Sequence, residues 1–166
     1  MRKLLLLDAD VIIDLHSLGL FDKLTKAYDI CVTREVLGEA QYYPKGRKNL
    51  PIRIKQKVTV IEDIEIDCLR TVQKESREAR LTIDPGEAES IAYLLQCEED
   101  ISFCSCDKAG IIIMSFMNLE QKALSVERAF REAGYNVKLL PRHLQSEFKR
   151  SIKDGKTLRI QFKKLV

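Results

Sequence analysis

Lys3-Leu4-Leu5-Leu6-Leu7-Asp8-Ala9-Asp10 opens the chain with a short apolar run that stops at an acid. The leucines do not alternate with polar residues. Such a run suits a strand buried on both faces, as at the centre of a parallel sheet. Ile101–Cys106, ending at Asp107, repeats the pattern, and Tyr28–Thr33 and Val58–Ile61 read as further strands. Between them the apolar spacing turns helical. Val11–Ala27 reads as two short helices broken near Ser17–Gly19, and Arg34–Tyr43 as a helix capped by Thr33 with Val36, Leu37 and Ala40 on one side. Cys68–Ala79 is a polar helix. Asp84-Pro85-Gly86-Glu87 starts another, running to about Gln96, with Asp84 as N-cap, Pro85 in the first turn and Glu87 completing a capping box. Lys108–Phe116 and Leu119–Ala133 read as helices, the second stopped by Gly134, and Tyr135–Leu140 as a last strand. Strands alternating with helices predict an α/β fold, a three-layer α/β/α sandwich around a mostly parallel sheet.

A chain of 166 residues is the size of one domain, and 45% apolar with 32% charged residues allows a real core under a charged surface. The expected organisation is a domain over 1–140 and a basic extension over 141–166. No apolar run reaches the ~18 residues that cross a bilayer, so no membrane partner is expected. The apolar start is too short for a signal peptide, and Asp8 ends it without a small-residue cleavage site. A cytosolic, cytoplasmic location is expected. The five cysteines (Cys31, Cys68, Cys97, Cys104, Cys106) form no C-x-x-C pair and read as core thiols.

Charge is unevenly spread. Lys45–Lys57 holds six basic residues and no acid. From Arg142 onward eight basic residues face two acids, near +6, which for a chain of net +3 leaves the remainder near −3. Two basic segments on a chain with an acidic site suit a polyanionic substrate. Removing Arg142–Val166 is expected to weaken binding of that polyanion and leave the site folded.

In open parallel sheets, function gathers at the carboxyl ends of the strands. Asp8 and Asp107 each follow a strand directly. Glu39 lies on the helix after the second strand, and Glu87 and Glu89 open the helix before Ile101. Convergent carboxylates repel one another unless a cation neutralises them, and hard cations such as Mg²⁺ or Mn²⁺ prefer such oxygens.

Four motifs then resemble those of PIN domains, in family order and within about residues 1–140. They are Leu-Leu-Leu-Asp8-Ala-Asp10, Val32-Thr-Arg-Glu-Val-Leu-Gly-Glu39, Gly86-Glu87-Ala-Glu89-Ser-Ile-Ala and Phe103-Cys-Ser-Cys-Asp107-Lys108-Ala. The resemblance implies a Mg²⁺- or Mn²⁺-dependent endoribonuclease, commonly the VapC-type toxin of a toxin–antitoxin pair. RNA, an antitoxin protein and a second copy of the chain are the implied partners. Carried over by position, Asp8, Glu39, one of Glu87 and Glu89, and Asp107 would hold the metal, with Asp10 and Lys108 in support. Each has a plainer role: Asp8 and Asp107 as helix caps, Glu87 in a capping box, Glu39 as a surface acid and Lys108 as a solvated lysine. Glu89 points elsewhere on its helix from Glu87; the reading inclines to Glu89 and keeps both. His16 and His143 have no partnered spacing and read as incidental.

The chain departs from the family pattern after Lys108, where Ala109-Gly-Ile-Ile-Ile-Met carries no further acid, and in its basic tail. These departures keep open a catalytically degenerate module that binds RNA or a protein partner. A haloacid-dehalogenase-like phosphatase shares the Asp8-x-Asp10 opening. It also needs a late acidic pair after a strand, and none follows Asp107.

Overall fold

The computed structural model describes residues 1–165. Val166, the end of the expected extension, lies outside the described residues. In chain order the elements are β1 (Lys3–Leu7), α1 (Ala9–Ser17), α2 (Phe21–Ala27), β2 (Tyr28–Thr33), α3 (Arg34–Glu39), β3 (Tyr42–Lys45), β4 (Lys48–Pro51) and β5 (Thr59–Ile61). They continue with α4 (Ile66–Glu78), α5 (Pro85–Gln96), β6 (Ile101–Cys104), α6 (Lys108–Phe116), β7 (Ala123–Leu124), α7 (Val126–Glu132) and α8 (Gln145–Leu165).

Five strands form one parallel sheet in the order β5-β2-β1-β6-β7. β1 is central, with Leu6 in register with Cys31 of β2 and with Phe103 of β6. The leucine run is buried on both faces. Leu5 and Leu7 pack into a core with α1, α2 and α7, while Leu6 packs into a second core with α4, α5, α6 and Phe148 of α8. Helices on both faces of the sheet make the three-layer α/β/α sandwich. Chain order reverses at β1, whose neighbours are β2 on one side and β6 on the other. In open α/β sheets the crossovers diverge outside the carboxyl ends of two such strands, and that is where a crevice forms. That crevice positions the site.

Several expectations are revised. The basic connection is a hairpin: β3 and β4 pair antiparallel around Gly46, whose φ is +62°. The helix from Arg34 accordingly stops at Glu39, because Ala40 leaves the helical region. Leu119–Ala133 is not one helix. A 3₁₀ turn at Glu120–Lys122 leads into the two-residue strand β7, and Ser125 then caps α7 by accepting a hydrogen bond from Arg128 N. So short a strand leaves no period in the sequence. Tyr135–Leu140 forms no strand; Tyr135, Val137 and Leu139 alternate onto the α1–α2–α7 core without a ladder.

The basic tail is a packed helix. Phe148, Ser151 and Gly155 of α8 are buried, and Ser115 Oγ of α6 donates to Ile152 O at 2.6 Å. The backbones meet so closely that a Cβ on Gly155 would stand 2.5 Å from Ile112 O. The segment after the expected boundary at 140/141 thus packs against α6 through Phe148, Ser151 and Gly155. Removing Arg142–Val166 would uncover α6. Among the described residues, no helix is long and apolar enough to cross a membrane.

Candidate functional site

β1 and β6 end side by side, and the acids that follow them meet at the switch point. Asp8 is buried. Its Oδ1 accepts from Ala9 N at 2.8 Å, capping α1, and its Oδ2 accepts from Ser105 Oγ at 3.0 Å. Ser105 Oγ in turn accepts from Asp107 N at 3.1 Å, so one hydroxyl ties the ends of both strands together. Asp107 caps α6, its Oδ1 accepting from Ala109 N at 2.8 Å and Gly110 N at 3.4 Å. The capping roles foreseen for Asp8 and Asp107 are present. Each uses one carboxylate oxygen for its cap.

α5 brings the third acid. Asp84 and Glu87 form the expected capping box: Glu87 N donates to Asp84 Oδ1 at 2.8 Å, and Asp84 N donates to Glu87 Oε2 at 3.2 Å. Glu87 is 2% exposed, and its Oε1 is buried with no hydrogen-bond partner. Glu89 is turned away. Its Oε2 accepts from Glu35 N at 3.3 Å, at the first turn of α3. Of the two acids kept open by the sequence, Glu87 is thus the one that joins Asp8 and Asp107. Glu39 reaches α5 from α3, its Oε1 accepting from Gly86 N at 2.9 Å. It lies at the exposed rim of the cluster.

The electrostatics show how crowded the acids are. Burial pushes the Glu87 carboxyl up to about 9, and Asp8, Asp107 and Asp84 add to the rise. Burial raises Asp8 to about 7; the hydrogen bonds from Ser105 and Ala9 oppose that, while Asp84 and Asp10 reinforce it. Asp10, half-buried, is raised first by burial, with Arg142 opposing and Asp107, Asp14 and Asp84 adding. Glu39 is raised by burial against the Gly86 N–H, with Asp84, Glu35 and Asp10 adding. Six acids (Asp8, Asp10, Glu39, Asp84, Glu87, Asp107) therefore share one field. Without a counter-cation Glu87 favours its protonated form at neutral pH and Asp8 is poised between its two forms; a bound divalent cation would favour the carboxylates.

Sequence reasoning missed two members of this site. Ser105 carried no signal beyond lying between a strand and an acid. Asp84 was read only as a cap, and its charge also acts on the buried acids. A third omission lies alongside. Asp14 of α1 accepts from Arg142 Nε at 2.8 Å and Nη2 at 2.6 Å, and from His143 Nε2 at 2.7 Å. His143 Nδ1 accepts from Leu140 N at 3.2 Å, so Nε2 carries the proton that Asp14 receives. Burial raises Asp14, but the bonds from His143 and Arg142 outweigh it and hold its carboxyl below the usual range. His143, expected to be incidental, is a fixed link between α1 and the turn before α8.

Asp14, Cys106 and His143 are also the one group of at least three His, Cys, Asp or Glu residues, among those described, whose ligand atoms all lie within 4.8 Å of one another. The carboxylates of the acidic crevice do not meet that distance. The two groups differ in how far their atoms are already engaged. Asp14 is already matched by a guanidinium fork, and burial pushes the Cys106 thiol up and so disfavours a thiolate. The crevice holds acids without basic partners and an unbonded oxygen.

Compared with family models, curated proteins and solved structures, the chain matches none. What the site does must follow from its own chemistry.

Proposed function

We propose that this chain is a Mg²⁺- or Mn²⁺-dependent nuclease that hydrolyses RNA phosphodiester bonds at the crevice beyond β1 and β6. The observation that carries the reading is Glu87 Oε1, a carboxylate oxygen buried without a partner beside Asp8 and Asp107. Buried polar atoms are rarely left unpaired, and one that is calls for a ligand. The donor set fits a hard divalent cation: every candidate ligand is a carboxylate oxygen, and an adjacent apolar wall supplies the burial that makes uncompensated charge costly.

Asp8, Glu87 and Asp107 would hold the cation, with Asp84 and Glu39 at the edge and Asp10 facing the same field. When bound, the cation supplies a positive charge that stabilises the charge building on a phosphate and makes a coordinated water more acidic. The chain's own residues do the positioning. The Ser105 hydroxyl donates to Asp8 Oδ2 and accepts from Asp107 N, so one side chain ties both acids to the strand ends. Asp10 makes no side-chain hydrogen bond among the described residues and is free to take a proton from the attacking water. Substrate would be drawn by the exposed basic residues of the β3–β4 hairpin (Lys45, Arg47, Lys48) and of α8. An antitoxin protein and a second copy of the chain remain the expected protein partners, from the motif resemblance.

The test is cleavage of a mixed pool of RNA and single-stranded DNA with Mn²⁺ or Mg²⁺, with EDTA, and with Asp8→Asn. Metal-dependent RNA cleavage that disappears in Asp8→Asn supports the nuclease. Binding without cleavage under any metal, equal in both proteins, rejects it in favour of a non-catalytic RNA-binding module.

A further inference from the structure

A groove of about 130 Å³ runs between the start of α6 and the start of α8, lined by Cys106, Lys108, Ile111, Arg142, Phe148 and Arg150 among others. Its floor is apolar: Ile111, Phe148 and Cys106 are buried. Three cations stand on its walls, with Glu147 the one acid in its lining. One end adjoins the acidic crevice, because Lys108 directly follows Asp107 and the charge of Arg142 acts on Asp10.

The three cations are only partly committed. Lys108 Nζ lies 3.8 Å from Asp154 and Arg150 Nη1 3.0 Å from Glu147, and both pairs are well exposed. Such pairs contribute little and exchange readily. Arg142 is held more firmly. Asp14 engages its Nε and Nη2, and Nη1 makes no hydrogen bond among the described residues. Its side chain is about half exposed (49%). Asp14 and His143 thus orient a guanidinium whose remaining donors are free, the arrangement that suits an oxyanion with several acceptor oxygens.

We infer that this groove seats a backbone phosphate of the RNA next to the one cleaved, held by Arg142, Lys108 and Arg150. The inference rests on the nuclease reading for its direction, since it places the strand's path from the acidic crevice along α6 toward α8. It assigns α8 a role in substrate register. Arg142, Lys108 and Arg150 hold the flanking phosphate, and the scissile phosphate falls at the carboxylates. Spacing along the RNA is then set by the distance between groove and crevice.

The experiment is fluorescence anisotropy of a short dye-labelled single-stranded RNA with the full chain in EDTA, titrated at several salt concentrations between about 50 and 200 mM. Lys108→Gln/Arg150→Gln removes two exposed cations without touching the core. It should weaken binding about five- to tenfold and lower the slope of log affinity against log salt by about 0.7, the value for one phosphate contact on a single strand. The charge-matched Arg70→Gln/Lys74→Gln pair on α4 should leave both unchanged. Equal behaviour of the two double variants would overturn the inference, as would wild-type protein that binds no RNA. Cleavage, measured separately with Mn²⁺, keeps the two ideas apart. A groove variant that binds like wild type while wild type cleaves defeats the groove alone. Groove-dependent binding with no cleavage under any metal supports the groove and defeats the nuclease.

Discussion

Glu87 Oε1 lies over Gly110, so close that a Cβ on that glycine would stand 2.6 Å from the oxygen. The acid from α5 can enter the crevice only because α6 has no side chain there. Gly110→Ala should therefore displace the carboxylate. In an ordinary helix interior the change would stabilise by about 1 kcal/mol; here we expect no gain in melting temperature. Metal-dependent cleavage should fall at least tenfold, as should the stabilisation that Mn²⁺ gives in a thermal melt. Unchanged Mn²⁺ stabilisation would show that Glu87 Oε1 is not needed for the cation.

The buried acids make metal-free stability depend on pH in a definite direction. Burial, with the neighbouring acids, raises the folded-state pKa of Glu87 to about 9 and of Asp8 to about 7. A carboxyl raised on folding binds more protons folded than unfolded. Stability is then greatest below the unfolded pKa and falls as pH rises toward the folded one. In EDTA, denaturant melts should lose on the order of a few kcal/mol between about pH 5 and 9. Glu87→Gln should remove most of that slope, and Mn²⁺ should stabilise wild type more at pH 8 than at pH 6. A flat profile in EDTA would mean that water reaches these groups.

Asp14 works in the opposite sense. The bonds from His143 and Arg142 overcome burial and lower its pKa, so its contribution is present above the unfolded carboxylate range and is lost as pH falls through the folded value. Breaking a buried pair costs about 3–5 kcal/mol. Arg142 is half exposed, so Asp14→Asn should cost less, about 1–3 kcal/mol. Chemical denaturation at neutral pH reads the loss, which should shrink in acid. An Asp14→Asn protein as stable as wild type at pH 7 would remove the link from the account.

Gly155 is the contact on which α8 depends. A Cβ there would meet Ile112 O at 2.5 Å and Ser115 Cβ at 2.6 Å, atoms that cannot swing aside. Gly155→Ala should destabilise by about 1–3 kcal/mol despite its better helix propensity. Because α8 carries Arg150 and follows Arg142, RNA binding should weaken in the same variant. Urea melts and anisotropy check the two effects.

Much of the architecture was legible in the residues because its signals are local. The leucine run up to Asp8, the Asp84-Pro85 start and the helix over Lys108–Phe116 each combine apolar pattern with a cap, and these elements lie where the sequence puts them. β7 was hidden because two residues make no period, and the hairpin because exposed basic strands carry no apolar alternation. Tyr135–Leu140 misled for the reverse reason: its alternation reflects one-sided packing on a core, which needs no partner strand.

The sequence by itself determined the three-layer fold and the acids at its strand ends, because strand burial and helix capping are written within a few residues of one another. Only the tertiary structure turned Glu87 toward Asp8 and Glu89 toward α3, brought Ser105 to Asp8, set Arg142 and His143 on Asp14, and folded the basic tail onto α6. Each of those choices joins residues far apart in the chain. They follow from strand order and from how closely two backbones approach at a glycine, and no local pattern encodes either.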